Sequence, residues 1–341
     1  MIGIVGSFAY VAGWLSPGLL TPSRFVDGFE EASGGIHSGF RRNHAKGVCI
    51  AGYFDSNGNG GRVSKADVFR PGRVPVIGRF SLSGGDPDQA DSPATVRGLG
   101  LAFRPEHGEE WRTAMVNLPV FIVRTPQAFY DHMMATKPDP ATGQPDPAKV
   151  KAFLDTHPET GRAFGIIKSQ PFSSGFDNAA YHSLNAFRVV NAEGTANFVR
   201  WEIAPIDEFK PADYAEGAKT NKNYLFDDVI ARIHQGPVQW KLILTLAQPG
   251  DPTNDATLPW PSGREHVDAG TLTIETIAGE ADGACRDVNF DPLVLPEGIE
   301  PSDDPLLSAR SAVYSQSFTR REGEKKGPSA ITTGNNGEKG M

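Results

Sequence analysis

The 341-residue sequence has only two cysteines, Cys49 and Cys285, and their separation matches no metal-ligand spacing. That excludes a cysteine-built zinc or iron–sulfur centre and leaves the redox compartment open. Positive charge is also scarce. Lys and Arg number 33 against 41 Asp and Glu, a formal net charge of -8 with a pI near 5.5, so nucleic-acid binding has no electrostatic support. Arg320, Arg321, Lys325 and Lys326 form a cationic run as short as those of ordinary solvated segments. No apolar run reaches the roughly 20 residues that a membrane-crossing helix needs. Ile2 to Leu15 is largely apolar, but no Lys or Arg precedes Arg24, so the basic start of a signal peptide is missing. Residues 1–20 read either as the remnant of a leader or anchor or as an apolar N-terminal arm. An exported origin, periplasmic or membrane-anchored facing the periplasm, is preferred over a cytoplasmic one. There is no internal repeat.

What remains is the profile of a soluble globular chain, 39% hydrophobic and 22% charged, long enough for one sizeable core. Thr21 to Ser33 reads as a short amphipathic helix with Phe25 and Phe29 one turn apart. Strand-like runs follow from Gly47, at 73–83, 96–103, 112–124, 185–191, 195–203, 238–247 and 271–277, with Asn191-Ala192-Glu193-Gly194 as a hairpin turn. About eight antiparallel strands joined largely by short turns suit a closed barrel. Helices are expected at 126–135, 147–157 and 226–234 around it, an α+β arrangement. The main domain is expected over residues 21–321. The polar, Gly-rich text of residues 322–341 reads as a disordered tail.

The most informative helix comes late. Ser302 is the expected N-cap, Asp303 and Asp304 suit the positive end of the dipole, and Pro305 is tolerated in a first turn. No Gly or Pro interrupts the run to Arg321, so Arg310, Tyr314 and Arg321 share one face at i, i+4 and i+11. A guanidinium one turn below a tyrosine favours its phenolate form. A phenolate on a rigid helix is an axial ligand that ferric haem accepts. Alone, such a pair is equally an ordinary stacking pair.

Other segments carry further polar side chains of interest. Arg41-Arg42-Asn43-His44-Ala45-Lys46-Gly47 offers His44 as an acid/base that titrates near neutral pH. Val116-Asn117-Leu118-Pro119-Val120-Phe121 offers the amide of Asn117, which holds a peroxide without titrating. Gly78-Arg79-Phe80-Ser81 adds a cation and a hydroxyl. Together, the H-A-K-G, N-x-P-x-F and R-F-S strings and the P-E-G-I-E-P-S text before R-x-x-x-Y resemble the haem catalases. They occur in the catalase order from about Thr21 to Arg321, and the chain is most similar to the small catalase-related peroxidases. Two departures stand out. Ser315-Gln316-Ser317-Phe318 replaces the usual Pro-Asp-Thr-His or Gln after the tyrosine, and polar Asn43 replaces an apolar residue before the histidine.

The resemblance implies a catalase-like eight-stranded barrel with haem b between barrel and proximal helix, and Tyr314 as the iron ligand set by Arg310. It implies His44 and Asn117 as the residues that cleave the O–O bond, Ser81 orienting His44, and Arg41, Arg79 and Arg321 holding the propionates. The expected reaction is reduction of hydrogen peroxide with oxidation of a small organic donor through a ferryl intermediate. Dismutation of peroxide and hydroperoxide rearrangement are the alternatives, and a non-enzymatic haem carrier is disfavoured by a distal proton shuttle. No NADPH is expected, since the sequence stops soon after the proximal helix, and a monomer or homodimer is expected from the short N-terminal arm.

Overall fold

The structure, a computed structural model, describes residues 19–213 and 221–333. Ten strands form one antiparallel sheet: β1 (Gly47–Ser56), β2 (Gly72–Leu82), β3 (Arg97–Phe103), β4 (Trp111–Val116), β5 (Tyr181–His182), β6 (Phe187–Val190), β7 (Ala196–Pro205), β8 (Val238–Leu246), β9 (His266–Ala278) and β10 (Ile299–Pro301). The order β7-β5-β4-β3-β2-β1-β9-β8 closes on itself through a β7–β8 pairing that runs from Val199↔Leu246 to Pro205↔Trp240. The result is the expected eight-stranded antiparallel barrel, with β6 and β10 added beside β7. Closure removes the two unpaired edges that would otherwise template aggregation.

Large side chains fill the interior. Phe103 stacks on Trp111 with centroids 4.8 Å apart, Trp111 meets Trp201 edge-on at 5.0 Å, and Phe187 stacks on Trp201 at 4.2 Å. Trp111 Nε1 is buried without a hydrogen-bond partner among the described residues, while the polar atoms of Trp201 and Tyr181 are satisfied. Trp201 Nε1 donates to Thr113 Oγ1 at 2.9 Å and Tyr181 Oη to the Phe176 carbonyl at 2.8 Å. β4 and β8 alternate buried with less buried positions, as strands with one wet face should. β1 and β3 do not alternate so cleanly. Their outer face is covered by the helix that carries Tyr314 and by the segment after β9.

Six helices surround the barrel among the described residues: α1 (Pro22–Ala32), α2 (Pro126–Thr136), α3 (Pro147–Thr156), α4 (Pro158–Lys168), α5 (Tyr224–Gln235) and α6 (Pro305–Glu322). Thr21 caps α1 by accepting from Arg24 N–H. The cap of α6 is Asp304, not Ser302: Asp304 Oδ1 accepts from Leu306 N–H at 2.9 Å, while Ser302 Oγ bonds the Thr253 carbonyl at 2.8 Å. The strand expected over 112–124 stops at Val116, because Asn117 turns its side chain back to β3 and Pro119 has no N–H for a ladder.

The expected tail is ordered as far as residue 333. Ile331 is 2% exposed, Arg42 pairs with Glu324, and Arg286 Nη2 donates to the Gly327 carbonyl at 2.7 Å. Residues 1–18 and 334–341 lie outside the described part, and with them most of the expected arm or anchor and the end of the tail.

Cys49 and Cys285 form a disulfide that ties β1 to the segment after β9 across 236 residues of sequence. Closing so long a loop restricts the unfolded chain. Replacing both cysteines with serine should lower unfolding free energy by about 2–4 kcal/mol. Urea denaturation reads this directly, and an unshifted midpoint would mean that the link adds no stability.

Candidate active site

A cavity of about 240 Å³ lies between the barrel wall and α6. On the helix side it is lined by Ala309, Arg310, Val313, Tyr314, Ser317, Phe318 and Arg321, an i, i+4, i+8 stripe with its i+1 neighbours. On the barrel side stand His44, Arg79, Ser81, Gly98, Gly100 and Val116. The glycines of β3 leave necessary room. A Cβ on Gly98 would come within 2.8 Å of His44 Nδ1, and one on Gly100 within 2.8 Å of the Phe290 ring. Either is too close for a real contact.

His44 is held in an unusual backbone conformation, with φ 57. That left-handed region costs a non-glycine residue of order 1 kcal/mol or more. Asn43 Oδ1 offsets it by accepting from His44 N–H and Gly84 N–H, both at 2.9 Å. From the other side Arg79 donates Nη1 to the His44 carbonyl at 2.8 Å and Nη2 to the Ala45 carbonyl at 3.1 Å. Gly47 is required beside it, since a Cβ there would run into the Arg79 guanidinium. Lys46 is buried away from the cavity, on Asp91 Oδ1 at 2.6 Å. The imidazole itself has Nδ1 3.0 Å from Ser81 Oγ. Nε2 has no protein partner among the described residues. Burial, and then the charges of Arg79, Arg310 and Arg41, push the His44 pKa down to about 3, so the ring is neutral at physiological pH.

Tyr314 presents a phenol oxygen without a hydrogen-bond partner among the described residues. Arg310 lies under the ring, 6.0 Å from its centroid. It is locked there by Asn185 Oδ1 at 2.6 Å and the Ala114 carbonyl at 2.8 Å. Asn185 in turn donates to Asp304 Oδ2 at 2.8 Å, so the cap of α6 and the cation beneath Tyr314 belong to one network. Sequence reasoning missed Asn185, whose only signal is its place in the Tyr181-His182-Ser183-Leu184-Asn185 segment. His182 of the same segment pairs with Glu202 at 3.4 Å outside the cavity.

Asn117 does not join the site. Its Oδ1 accepts from Arg97 N–H at 2.8 Å, it does not line the cavity, and its neighbour Val116 does. Val116 is the last residue of β4, and Asn117 follows it in the bend with its amide oxygen held on β3. The cationic end also differs from expectation. Arg41, Arg79 and Arg321 all line the cavity, but Glu280 sits among them. Arg79 has Nε and Nη2 on Glu280 and its other bonds on the His44 loop, so it supports the histidine more than it reaches outward. Arg321 makes one protein hydrogen bond among the described residues, Nη1 to the Arg286 carbonyl at 2.6 Å, and keeps donors for a ligand.

Residues 39–327 match the family described as Catalase. The chain belongs to the catalase family. Within the family it is 38% identical over 302 residues to a catalase-related peroxidase of Synechococcus elongatus, covering 89% of each chain. It is 33% identical over 316 residues to a catalase-related peroxidase of Mycolicibacterium paratuberculosis, covering 92% of this chain and 98% of that one. A solved fungal catalase superposes with a TM-score of 0.74 at 22% identity, over 83% of this chain and 59% of that one. A bacterial catalase superposes with a TM-score of 0.72 at 23% identity. These structures share the fold.

Haem, the group that the catalase family implies, fits these residues. The phenol of Tyr314 is free, the glycine cradle of β3 admits a flat group, and three arginines with one carboxylate leave two positive charges for two propionates.

Two predictions follow from this geometry. Asn117→Ala should lower stability by about 1 kcal/mol through loss of the Arg97 bond and leave the peroxide reaction unchanged; a tenfold slower reaction would return Asn117 to the site. The second concerns acid. The unfolded His44 takes a proton near pH 6.5, but the folded residue only near 3, so stability is present above 6.5 and is lost as pH falls between the two values. His44→Gln should flatten that loss by up to about 1.4 kcal/mol per pH unit. Urea midpoints at pH 7 and pH 5 measure it, and parallel losses in both proteins would contradict the neutral, buried imidazole.

Proposed function

We propose that this chain is a haem-dependent peroxidase that reduces hydrogen peroxide and oxidises a small organic donor. The observation that carries the reading is the pairing of two unpartnered groups in one cavity, Tyr314 Oη on α6 and His44 Nε2 on the barrel side. The catalase-related peroxidases that the chain resembles along most of its length support it. Haem b, the proposed form of the group, supplies when bound an iron that accepts the peroxide and exchanges electrons with it.

The residues do the rest. Tyr314 provides the oxygen that would hold the iron, with the Arg310 guanidinium packed 6.0 Å from its ring centroid. His44 Nε2 takes the proton from the inner peroxide oxygen and returns it to the outer one, which leaves as water. Ser81 holds Nδ1, so the ring keeps that aim. Neutrality down to about pH 3 keeps His44 ready to accept the proton.

The preference for peroxidation over dismutation rests on the walls. Val116 gives an apolar surface where an amide was expected. Phe25 and Phe29 of α1, Phe129 of α2 and Phe121 form an aromatic side of the cavity, with Phe121 and Phe129 centroids 5.3 Å apart and Phe25 and Phe129 5.8 Å apart. Such a wall suits an aromatic donor better than a second peroxide. The Cys49–Cys285 disulfide and the apolar start of the sequence favour an oxidising compartment such as the periplasm, free or membrane-anchored. No helix among the described residues is long and apolar enough to cross a membrane. A monomer or homodimer is the proposed assembly.

An oxygen electrode and a phenolic donor assay on the same haem-loaded preparation test the function. Donor oxidation should dominate, with weak oxygen release from peroxide alone. Vigorous oxygen release with negligible donor oxidation would make the chain a dismutating catalase instead.

A further inference from the structure

Glu280 is absent from every motif in the sequence, yet it is the acidic residue at the centre of the cationic end of the site. It is 5% exposed. Arg41 Nη1 donates to it at 2.6 Å, Arg79 Nε at 2.8 Å and Arg79 Nη2 at 3.1 Å. Burial alone would raise its pKa, but the charges of Arg79 and Arg41 outweigh that and hold it down at about 2. The segment that carries it, just after β9, is fastened at several points. The Cys49–Cys285 disulfide holds one side, Ser329 Oγ accepts from Ala281 N–H at 2.7 Å, and Arg286 Nη2 donates to the Gly327 carbonyl at 2.7 Å. A carboxylate so fixed acts as a template for the cations around it.

Two consequences follow. Arg79 has its Nε edge on Glu280, so its Nη1 and Nη2 are aimed at the carbonyls of His44 and Ala45, the bonds that hold His44 at φ 57. Glu280 also removes one of the three positive charges of Arg41, Arg79 and Arg321. The geometry points to Glu280 as a positioning residue: it holds Arg79 against the His44 backbone and limits the net charge of this end to the two that a pair of cofactor carboxylates balances. The inference rests on the haem reading above.

Glu280→Gln keeps the shape of the side chain and removes its charge. Added positive charge favours the state with one more electron. The ferric–ferrous equilibrium of haem bound to Glu280→Gln should therefore shift toward ferrous by about tenfold or more, about 59 mV of midpoint potential for one electron. Arg79 also loses a charged partner, and the His44-dependent reaction with peroxide should slow severalfold. Arg41→Gln changes the charge in the opposite sense and should lower the potential. Glu280→Gln combined with Arg41→Gln restores the net charge and should bring the potential back towards that of the wild type. Spectroelectrochemical titration of the four haem-loaded proteins reads all of this independently of turnover. If Glu280→Gln does not fold, the double variant against Arg41→Gln carries the same charge difference and must show the same upward shift. Equal potentials across either pair, with haem bound, would overturn the role of Glu280. Failure of the wild-type protein to take up haem would instead overturn the haem reading itself.

Discussion

Five arginines, Arg41, Arg42, Arg79, Arg310 and Arg321, are taken largely out of water around one cavity, and each must find partners where it lies. Arg310 finds them in Asn185 and the Ala114 carbonyl, which fastens α6 to the barrel and sets the cation under Tyr314. Arg79 finds them in Glu280 and the His44 and Ala45 carbonyls, which stabilises a histidine backbone that would otherwise relax. Arg41 donates to Glu280 and to the carbonyls of Cys285, Arg286 and Val288. The groups that make the site reactive and those that make it stable are therefore largely the same.

This arrangement explains why the cavity has two unlike ends. Near Arg321 it is cationic and hydrogen-bonding, suited to carboxylates. Towards α1 and α2 it is walled by Phe25, Phe29, Phe121 and Phe129, suited to an apolar or aromatic molecule. His44 and Tyr314 stand between. The closed barrel supplies the rigidity that such placement needs, because its filled interior of Trp111, Trp201, Phe103 and Phe187 leaves the wall strands little room to move.

Much of this was legible in the sequence, because strand alternation and the motif order are local signals. Ser81 Oγ lies within hydrogen-bond reach of His44 Nδ1, and Thr21 caps α1 as expected. What escaped had non-local causes. Asn117 follows the last residue of β4, where the bend turns its amide oxygen to Arg97 N–H. α4 was hidden by Gly161 and Gly165. The polar run after Glu322 is ordered by partners nearly 300 residues away, such as Arg42 with Glu324. Glu280 has no neighbours in sequence that announce it, since both of its cations come from the other end of the chain.

The central claim is that Tyr314, on a helix packed across the barrel wall, would hold the iron of haem in the cavity that it shares with His44. Resonance Raman spectroscopy of the haem-loaded ferric protein, excited in the phenolate-to-iron charge-transfer region, tests it most directly. The account predicts enhanced tyrosinate ring modes in the wild type and their loss in Tyr314→Phe. A wild-type spectrum without those modes, or one that keeps them after the substitution, would contradict it.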